Sequence, residues 1–422
     1  MKKIVSMVLL CICLIYGMYL LHSHTSTSSS QKISKSTSSS QKKSDSTSPS
    51  KKSNSQAESN PSNNQISLEP TTINNSFEDN VLKLFEKDYK IVKVSFPKGS
   101  NPSKQIQKAL NLAKDSKTSI KVIIPKGKYT LKDTLHIYSN TWLYTDPDTI
   151  LRKSDKHDDI MLINGEFNAT YKKYGGNSNI IVDGGVWDAR GESSKQRTPS
   201  VFGFAHGENI IIQHTNVKNV YAGHAVDSSG NKNIIIRDNN FLGSRNGNEY
   251  TEAIQIDGMV SDLAFRRFGS VDLTVTTNMV VDNNYFGNSN EKGMKAWGVG
   301  IGSHSAALNK PYSNIQIFNN TFERMTYAAI RGHNWENIMI TGNYFYDCVL
   351  GIQIDSSGKY YYLNNGEHHQ GYGNLLVSEY EIKENHFLGK EGSSIKLDGK
   401  SEDFEGHIYS ADNSFYTLNL SH

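Results

Sequence analysis

The chain has 422 residues, 10% of them aromatic, and a formal net charge of +3. The lysines are densest in the N-terminal tail and the remainder is close to neutral, which argues against a nucleic-acid-binding surface on the folded part. Asn, Gly, Ser, Tyr and Ile are abundant and helix-period stretches are scarce, a composition that favours an all-β architecture. Cys348 is the only cysteine of the body, so no intrachain disulfide framework is possible there.

Residues 1–21 form the first segment, a basic start followed by the apolar run from Ile4 to Leu21. A short basic stretch before an apolar run is typical of an export signal. The run is also long enough for a membrane span, and the sequence leaves a cleaved signal and a retained anchor both open. Either one predicts an extracellular protein, secreted or anchored at a bacterial cell surface.

Residues 22–76 are rich in Ser, Thr, Lys, Asn and Gln and contain little to bury. Such a segment cannot offset the entropy of ordering, so it predicts a flexible linker. Its lysines could associate with anionic wall polymers, although a plain solvated linker is the simpler interpretation. The folded domain is then expected over 77–422.

The domain opens with a helix and continues in strands. Ser103 to Ala113 has apolar residues at helical spacing, with Ser103 available as N-cap. Short strand-like runs follow, separated by turn residues, and they begin at Lys121, Tyr129, Thr134, Thr141 and Thr149.

A short pattern, Asn-x-Phe, returns six times in the second half, each time after a β-branched run. A unit of one or two strands with an Asn turn cannot bury its apolar face alone, so its recurrence predicts stacked coils. We expect the Asn side chains to hydrogen-bond along the stack and the Phe rings to fill the core. The Asn and Phe positions are Asn239/Phe241, Asn284/Phe286, Asn320/Phe322, Asn343/Phe345, Asn385/Phe387 and Asn413/Phe415.

The amphipathic helix, the strands after it and the run 179–188 together resemble the opening of pectin-lyase-like right-handed parallel β-helix proteins. The resemblance covers about 85 to 420. It implies a single right-handed parallel β-helix, a solenoid, with an N-terminal capping helix. It also implies a carbohydrate-active protein, without specifying the sugar or the reaction.

Aligning the coils on Asn-x-Phe brings a second set of strands into register. Because side chains alternate faces along a strand, the inward Ile or Val of each coil places polar neighbours outside. The first outward column is predicted to be Asp227, Gln255, Gly302, Arg331, Gln353 and Lys396. A second column, two residues on, is predicted to be Ser229, Asp257, His304, His333, Asp355 and Asp398, while His224 and Glu252 share a row.

Clustered acids on this face predict glycoside hydrolysis, which needs one protonated and one ionised carboxyl group. The candidate catalytic residues are Glu252, Asp257 and Asp227, on adjacent coils. Glu252 and Asp257 are expected to be solvent-accessible at the floor of a groove walled by the insertion 258–272. Residues predicted to bind substrate are His224, Gln255, His304, Arg331, His333, Trp297, Trp335 and Asp355; the two tryptophans fit core packing equally well.

Alternative functions remain open at this point. A polysaccharide lyase or uronate epimerase would use similar groups, with cations or Ca²⁺ neutralising the uronate carboxylate. A non-catalytic glycan-binding surface protein is a further alternative. For the hydrolase we expect no cofactor or metal ion, a polysaccharide as the partner, no nucleic acid, and a monomer whose N-terminus associates with the cell wall or membrane.

Overall fold

The computed structural model describes residues 76–114, 118–245, 251–261, 268–389, 394–414 and 418–421. The predicted signal or anchor, all of the linker except Ser76, and Phe415 of the Asn-x-Phe series lie outside these residues. The helices are Ser76–Leu82 and Pro102–Leu110, with 3-10 turns at Lys83–Glu86, Asn111–Ala113 and Ser401–Asp403. Within the described ranges, no helix combines the length and apolar character needed to cross a membrane.

Most strands of the described chain lie in three long sheets of parallel strands. Sheet 1 has 11 strands: Lys90–Lys93, Ile120–Ile124, Thr141–Thr145, Ile180–Asp183, Glu208–Gln213, Lys232–Arg237, Thr277–Asp282, Tyr312–Phe318, Trp335–Thr341, Val377–Lys383 and Ile408–Ala411. Sheet 2 has 10: Leu135–Ile137, Leu162–Asn164, Ser200–Ala205, His224–Ser229, Glu252–Asp257, Val299–Gly302, Ala328–His333, Ile352–Asp355, Ile395–Asp398 and Leu418–Ser421. Sheet 3 has nine: Lys128–Leu131, Ile150–Lys153, Val186–Asp188, Asn216–Tyr221, Asn240–Arg245, Tyr285–Gly287, Thr321–Glu323, Tyr344–Tyr346 and His386–Leu388. The chain visits the sheets in turn, which is the parallel β-helix predicted from the repeat.

The capping helix is confirmed, with a different N-terminus. Asn101 is the N-cap, and its side chain accepts a hydrogen bond from the Ser103 backbone N–H at 3.0 Å. Pro102 takes the first helical position because it has a fixed φ and no N–H to satisfy. The predicted N-cap, Ser103, is therefore inside the helix, where its hydroxyl accepts a hydrogen bond from the Lys132 backbone at 2.8 Å.

The Asn-x-Phe columns are confirmed over the described residues. Each side-chain oxygen from Asn284 to Asn413 accepts hydrogen bonds from the backbone N–H and the amide of the Asn one coil earlier, as Asn320 does from Asn284 at 3.0 Å. Beside this ladder the rings of Phe241, Phe286, Phe322, Phe345 and Phe387 stack in the core with centroids 4.7 to 5.3 Å apart.

A second asparagine ladder, not predicted from the sequence, runs along the start of the sheet 1 strands. Its side chains bond from coil to coil at 2.5–3.1 Å. Every member has a left-handed backbone with φ between 55° and 59°, a conformation that Asn tolerates better than most residues. The members are Asn140, Asn179, Asn209, Asn233, Asn278, Asn314 and Asn337.

Two insertions cover part of the outer face of sheet 2. Met259, Val260, Phe268 and Leu273 pack on Ile160, Ile163, Ala205 and Ala307 in one apolar cluster. The other insertion is a hairpin, Ser357–Asn364 with Glu367–Asn374, which joins Ala306–Ala307 in a small separate sheet. The face between and beside these insertions is where the polar columns lie.

Candidate functional site

The first outward column of sheet 2 has the predicted register. Asp227 pairs with Gln255, Gln255 with Gly302, Gly302 with Arg331, Arg331 with Gln353, and Gln353 with Lys396. In the second column Ser229 pairs with Asp257, and His333, Asp355 and Asp398 follow one another. His304 is displaced, because the strand of its coil ends at Gly302.

One end of the polar column is closed by the first insertion. Gly203 precedes Asp227 in the column, and a side chain at Gly203 would meet the ring of Phe268, since a Cβ there would lie 2.5 Å from a ring carbon. The ring thus covers the sheet immediately before Asp227, and the polar column begins at that carboxyl group.

Asp257 and Glu252 differ from the prediction, since both are 0% exposed. Asp257 lies beneath the segment after Gly302: its Oδ1 accepts hydrogen bonds from Tyr312 at 2.7 Å, from Ser305, and from the Gly258 N–H at 3.0 Å. Its Oδ2 accepts one from Gln255 at 2.8 Å. With both oxygens occupied and no path to solvent, Asp257 stabilises the segment above it and does not form the groove floor.

Glu252 is held between two imidazoles. Its Oε1 accepts a hydrogen bond from Nδ1 of His304 at 3.0 Å, and Nδ1 of His224 lies 3.7 Å from Oε2. Burial alone would raise the pKa of Glu252, but the charge and hydrogen bond of His304 and the charge of His224 outweigh it, so this pKa lies below its usual value. The same contact raises the pKa of His304 to about 9, against the opposing effect of burial. Oε2 itself is buried and has no hydrogen-bond partner among the residues that the structure describes.

The pKa of Asp227 is shifted in the opposite direction from that of Glu252. It is 6% exposed and accepts hydrogen bonds from Ser229 at 2.7 Å and Ser200 at 3.4 Å. Burial raises the pKa of Asp227 and the charge of Asp257 adds to the rise, while His224 and the two hydroxyls only partly oppose it. The surroundings of Asp227 therefore shift its equilibrium toward the protonated form, whereas those of Glu252 shift its equilibrium toward the ionised form.

A second ionic cluster lies further along the column. Arg331 donates to Oδ2 of Asp355 from Nε at 2.9 Å and lies 2.7 Å away through Nη2, and Nδ1 of His333 is 3.3 Å from the same oxygen. Burial acts to raise the pKa of Asp355, but His333 and Arg331 outweigh it and lower that pKa. His333 and Asp355 are buried, whereas Arg331 remains partly exposed, so Arg331 is the group of this cluster that a substrate can reach.

The two tryptophans predicted to bind substrate are core residues. Trp297 is buried and donates to the backbone carbonyl of Phe241 at 3.1 Å, and Trp335 is buried and donates to Ser303 at 2.8 Å. Both rings point inward because they occupy inward positions of their coils, so neither lines the groove. His206, which follows the sheet 2 strand Ser200–Ala205, is also buried, between the backbone carbonyls of Lys173 and Ser270.

Sequence reasoning missed the hydroxyl groups that hold the acids. Ser305 lies in the segment after Gly302 and Tyr312 begins a sheet 1 strand, and no spacing rule relates them to Asp257. Ser229 was visible as a member of the second column, two residues from Asp227. Among the described residues, no group of three or more His, Cys, Asp and Glu side chains is arranged to hold a metal ion, and the metal and cofactor expectations stay predictions.

Comparison with known proteins bears on the fold. No family model matches the chain. A curated relative, plasmin and fibronectin-binding protein A of Streptococcus pneumoniae, is 27% identical over 334 residues, covering 74% of this chain and 44% of the relative. The chain thus spans less than half the length of that relative.

Solved structures with a similar fold include an adhesin and an enzyme. The crystal structure of PfbA, a surface adhesin of S. pneumoniae, matches with a TM-score of 0.60 at 20% identity, covering 79% of this chain and 80% of that one. The exopolygalacturonase of Thermotoga maritima matches with a TM-score of 0.54 at 12% identity, covering 82% and 94%. This chain is a right-handed parallel β-helix, the fold of these solved structures. At these identities the likeness establishes the fold, which adhesins and polysaccharide-cleaving enzymes share.

Proposed function

We propose that the β-helix domain is an exported glycoside hydrolase that cleaves an acidic polysaccharide along sheet 2. The observation that carries the proposal is that Asp227 and Glu252 lie on neighbouring strands, with His224, on the strand of Asp227, 3.7 Å from the Glu252 carboxylate. Their surroundings push the two pKa values apart, upward for Asp227 and downward for Glu252. One protonated and one ionised carboxyl group is the combination that glycoside hydrolysis requires.

In this proposal Asp227 donates its proton to the glycosidic oxygen as the bond from the anomeric carbon to that oxygen breaks. Glu252 accepts a proton from the water that adds to the anomeric carbon, through Oε2, the oxygen without a partner. Asp227 pairs with Gln255, so Glu252 is offset by three residues, roughly 10 Å along the strand. This offset favours the wider carboxyl separation of inverting enzymes, about 6.5–9.5 Å.

Because Glu252 is fully buried, His304 would also control the access of water to its carboxylate. The imidazole of His304 covers the carboxylate, and its own side chain is 45% exposed. A substrate carboxylate that pairs with the His304 cation would draw the ring away from Glu252 and admit water. Arg331 and Lys396, further along the same column, supply cations for other acidic sugars, which is why we infer a uronate-containing or otherwise anionic chain.

A panel of acidic and neutral polysaccharides tests this proposal with the full chain. The expected products are new reducing ends without an ultraviolet-absorbing double bond. Asp227→Asn and Glu252→Gln should each lower turnover by ~10²–10⁴-fold, the usual contribution of a general acid or base. Asp398→Asn serves as the matched control, because Asp398 follows Asp355 further along the second column. It should keep wild-type turnover. Products with an unsaturated end would indicate a lyase, and a change of configuration without cleavage an epimerase.

The relative from S. pneumoniae favours a second candidate, a cell-surface protein that binds host proteins. Its name specifies plasmin and fibronectin, so these two proteins are the probes. Saturable binding of the full chain to immobilised plasmin or fibronectin, unchanged in Asp227→Asn, together with no turnover across the glycan panel, would favour this candidate over hydrolysis.

A further inference from the structure

A second cavity lies outside the polar columns, at the corner where the hairpin meets the start of a sheet 1 strand. Its volume is about 480 Å³. The turn from Ala307 to Pro311 forms one side, the stretch Asn374–Leu376 forms the other, and Tyr360 of the hairpin completes the wall. None of the residues assigned to the hydrolytic site lines it.

The two sides of this cavity are tied together by one side chain, so the cavity is preformed. Asn334 adopts a left-handed backbone with φ 63°, and its amide nitrogen donates to the Lys310 carbonyl at 3.0 Å. Its amide oxygen accepts a hydrogen bond from the Leu376 N–H at 3.2 Å. The hairpin is fixed as well, because the Leu308 N–H donates to the Tyr361 carbonyl at 2.8 Å.

The lining combines hydrocarbon, three asparagines and one charged residue. Leu308, Pro311, Leu375 and Leu376 supply aliphatic surface, and Leu376 is 41% exposed at the rim. The ring of Tyr360 packs against Gly371 of the paired strand, where a Cβ would lie 2.6 Å from ring atoms. Tyr360 therefore gives the cavity an aromatic side held in place by the hairpin.

Glu336 is the single charged residue among those lining the cavity. It is half-buried, and its neighbours in register are Ser313 and Ser378, which carry no charge. No hydrogen bond or ion pair to its carboxylate is formed within the described part of the chain. A half-buried carboxylate without a cation, in a cavity with a large aliphatic wall, is electrostatically complementary to a cation on an alkyl chain.

We propose that this cavity binds a lysine side chain of a protein partner. The four-carbon stem of lysine covers aliphatic and aromatic surface while its ammonium reaches a single carboxylate. Arginine fits less well, because its planar fork is best satisfied by two parallel hydrogen bonds in a more open site. An amino sugar carries the same charge but has no alkyl chain to cover the aliphatic side of the cavity, where its hydroxyl groups would lose hydrogen bonds to water.

The test measures the binding of small probes to the full chain by calorimetry or by chemical-shift titration. The probes are Nα-acetyl-lysine methylamide, the neutral Nα-acetyl-norleucine methylamide of similar shape, the corresponding arginine derivative, and glucosamine. We expect saturable binding of the lysine probe with a Kd on the order of 1 mM, and binding of the norleucine probe at least about tenfold weaker. Glu336→Gln should weaken lysine binding about tenfold, which corresponds to about 1.4 kcal/mol.

Glu367→Gln is the matched control, since Glu367 is an exposed carboxylate near the hairpin tip and away from the cavity. It should bind the lysine probe as the wild type does, and both variants should keep any glycan turnover. Equal binding of the lysine and norleucine probes, unchanged lysine binding in Glu336→Gln, or preferential binding of arginine or glucosamine would each overturn the proposal, as would no saturable binding at all. Because the readout is probe binding at the corner of the fold, its failure leaves the hydrolase proposal unaffected.

Discussion

Replacing Asp257 by asparagine separates a catalytic carboxylate from a structural one. The Oδ1 position keeps three donors in the variant, from Tyr312, Ser305 and the Gly258 N–H, but those hydrogen bonds lose the negative charge that strengthens them. At the other position the new amide N–H₂ faces the Gln255 amide, 2.8 Å away in the wild type, so the Gln255 amide must turn over. A charged hydrogen bond exceeds a neutral one by about 1 kcal/mol, so we expect a loss of roughly 2–3 kcal/mol in the free energy of unfolding.

Thermal unfolding followed by circular dichroism measures this loss, expected as a fall in Tm of about 5 °C for a domain of this size. Asp398→Asn is the control, because that side chain is 43% exposed and its contact with Lys396 is a surface ion pair. Its Tm should stay within about 1 °C of the wild type. The burial argument fails if Asp257→Asn keeps the wild-type Tm and loses turnover on a confirmed substrate, since Asp257 would then be catalytic after all.

Two further predictions concern stability. The folded pKa of His304 is about 9, above its ordinary value of 6.5, so its stabilisation is complete below pH 6.5 and lost as the pH rises through 9. Because the His304 side chain is 45% exposed, solvent screening reduces this stabilisation to about 1 kcal/mol. Urea unfolding across this pH range should show a decline in the free energy of unfolding, and His304→Gln should remove that decline. An equal decline in the variant would contradict the pairing of His304 with Glu252. Asn320→Ala removes hydrogen bonds to the Val281 and Phe318 carbonyls and to both ladder neighbours. It should lower the free energy of unfolding in urea by about 3 kcal/mol. Asn364→Ala, on the exposed hairpin, should leave that free energy nearly unchanged. Equal stability of these two variants would show that the ladder contributes little.

The coil architecture could be predicted from the sequence because its signal repeats. Each Asn-x-Phe unit places one amide and one ring at equivalent positions, and stacking turns a weak local pattern into a consistent register along the domain. The register of Asp227, Gln255, Gly302, Arg331 and Gln353 follows from that alignment and the two-residue period of a strand. The second asparagine ladder was not predicted, because Asn is common throughout the chain and an Asn at a strand start does not by itself indicate a ladder.

Exposure of the site residues could not be predicted in the same way. Alternation shows which side chains point away from the core, but not what covers them there. Asp257 and His333 point outward and are nevertheless buried, because the segment 305–312 and the hairpin lie over them. Insertions follow no repeat, so their path over the sheet depends on tertiary contacts such as Phe268 on Gly203.

Product analysis on an acidic polysaccharide is the most direct measurement of the proposed function. We expect the wild-type chain to release reducing ends without an unsaturated sugar, and Asp227→Asn to lower this rate by ~10²–10⁴-fold with an unchanged Tm. Asp398→Asn should cleave at the wild-type rate. Wild-type turnover in Asp227→Asn on the same polysaccharide would contradict the assignment of Asp227 as the proton donor.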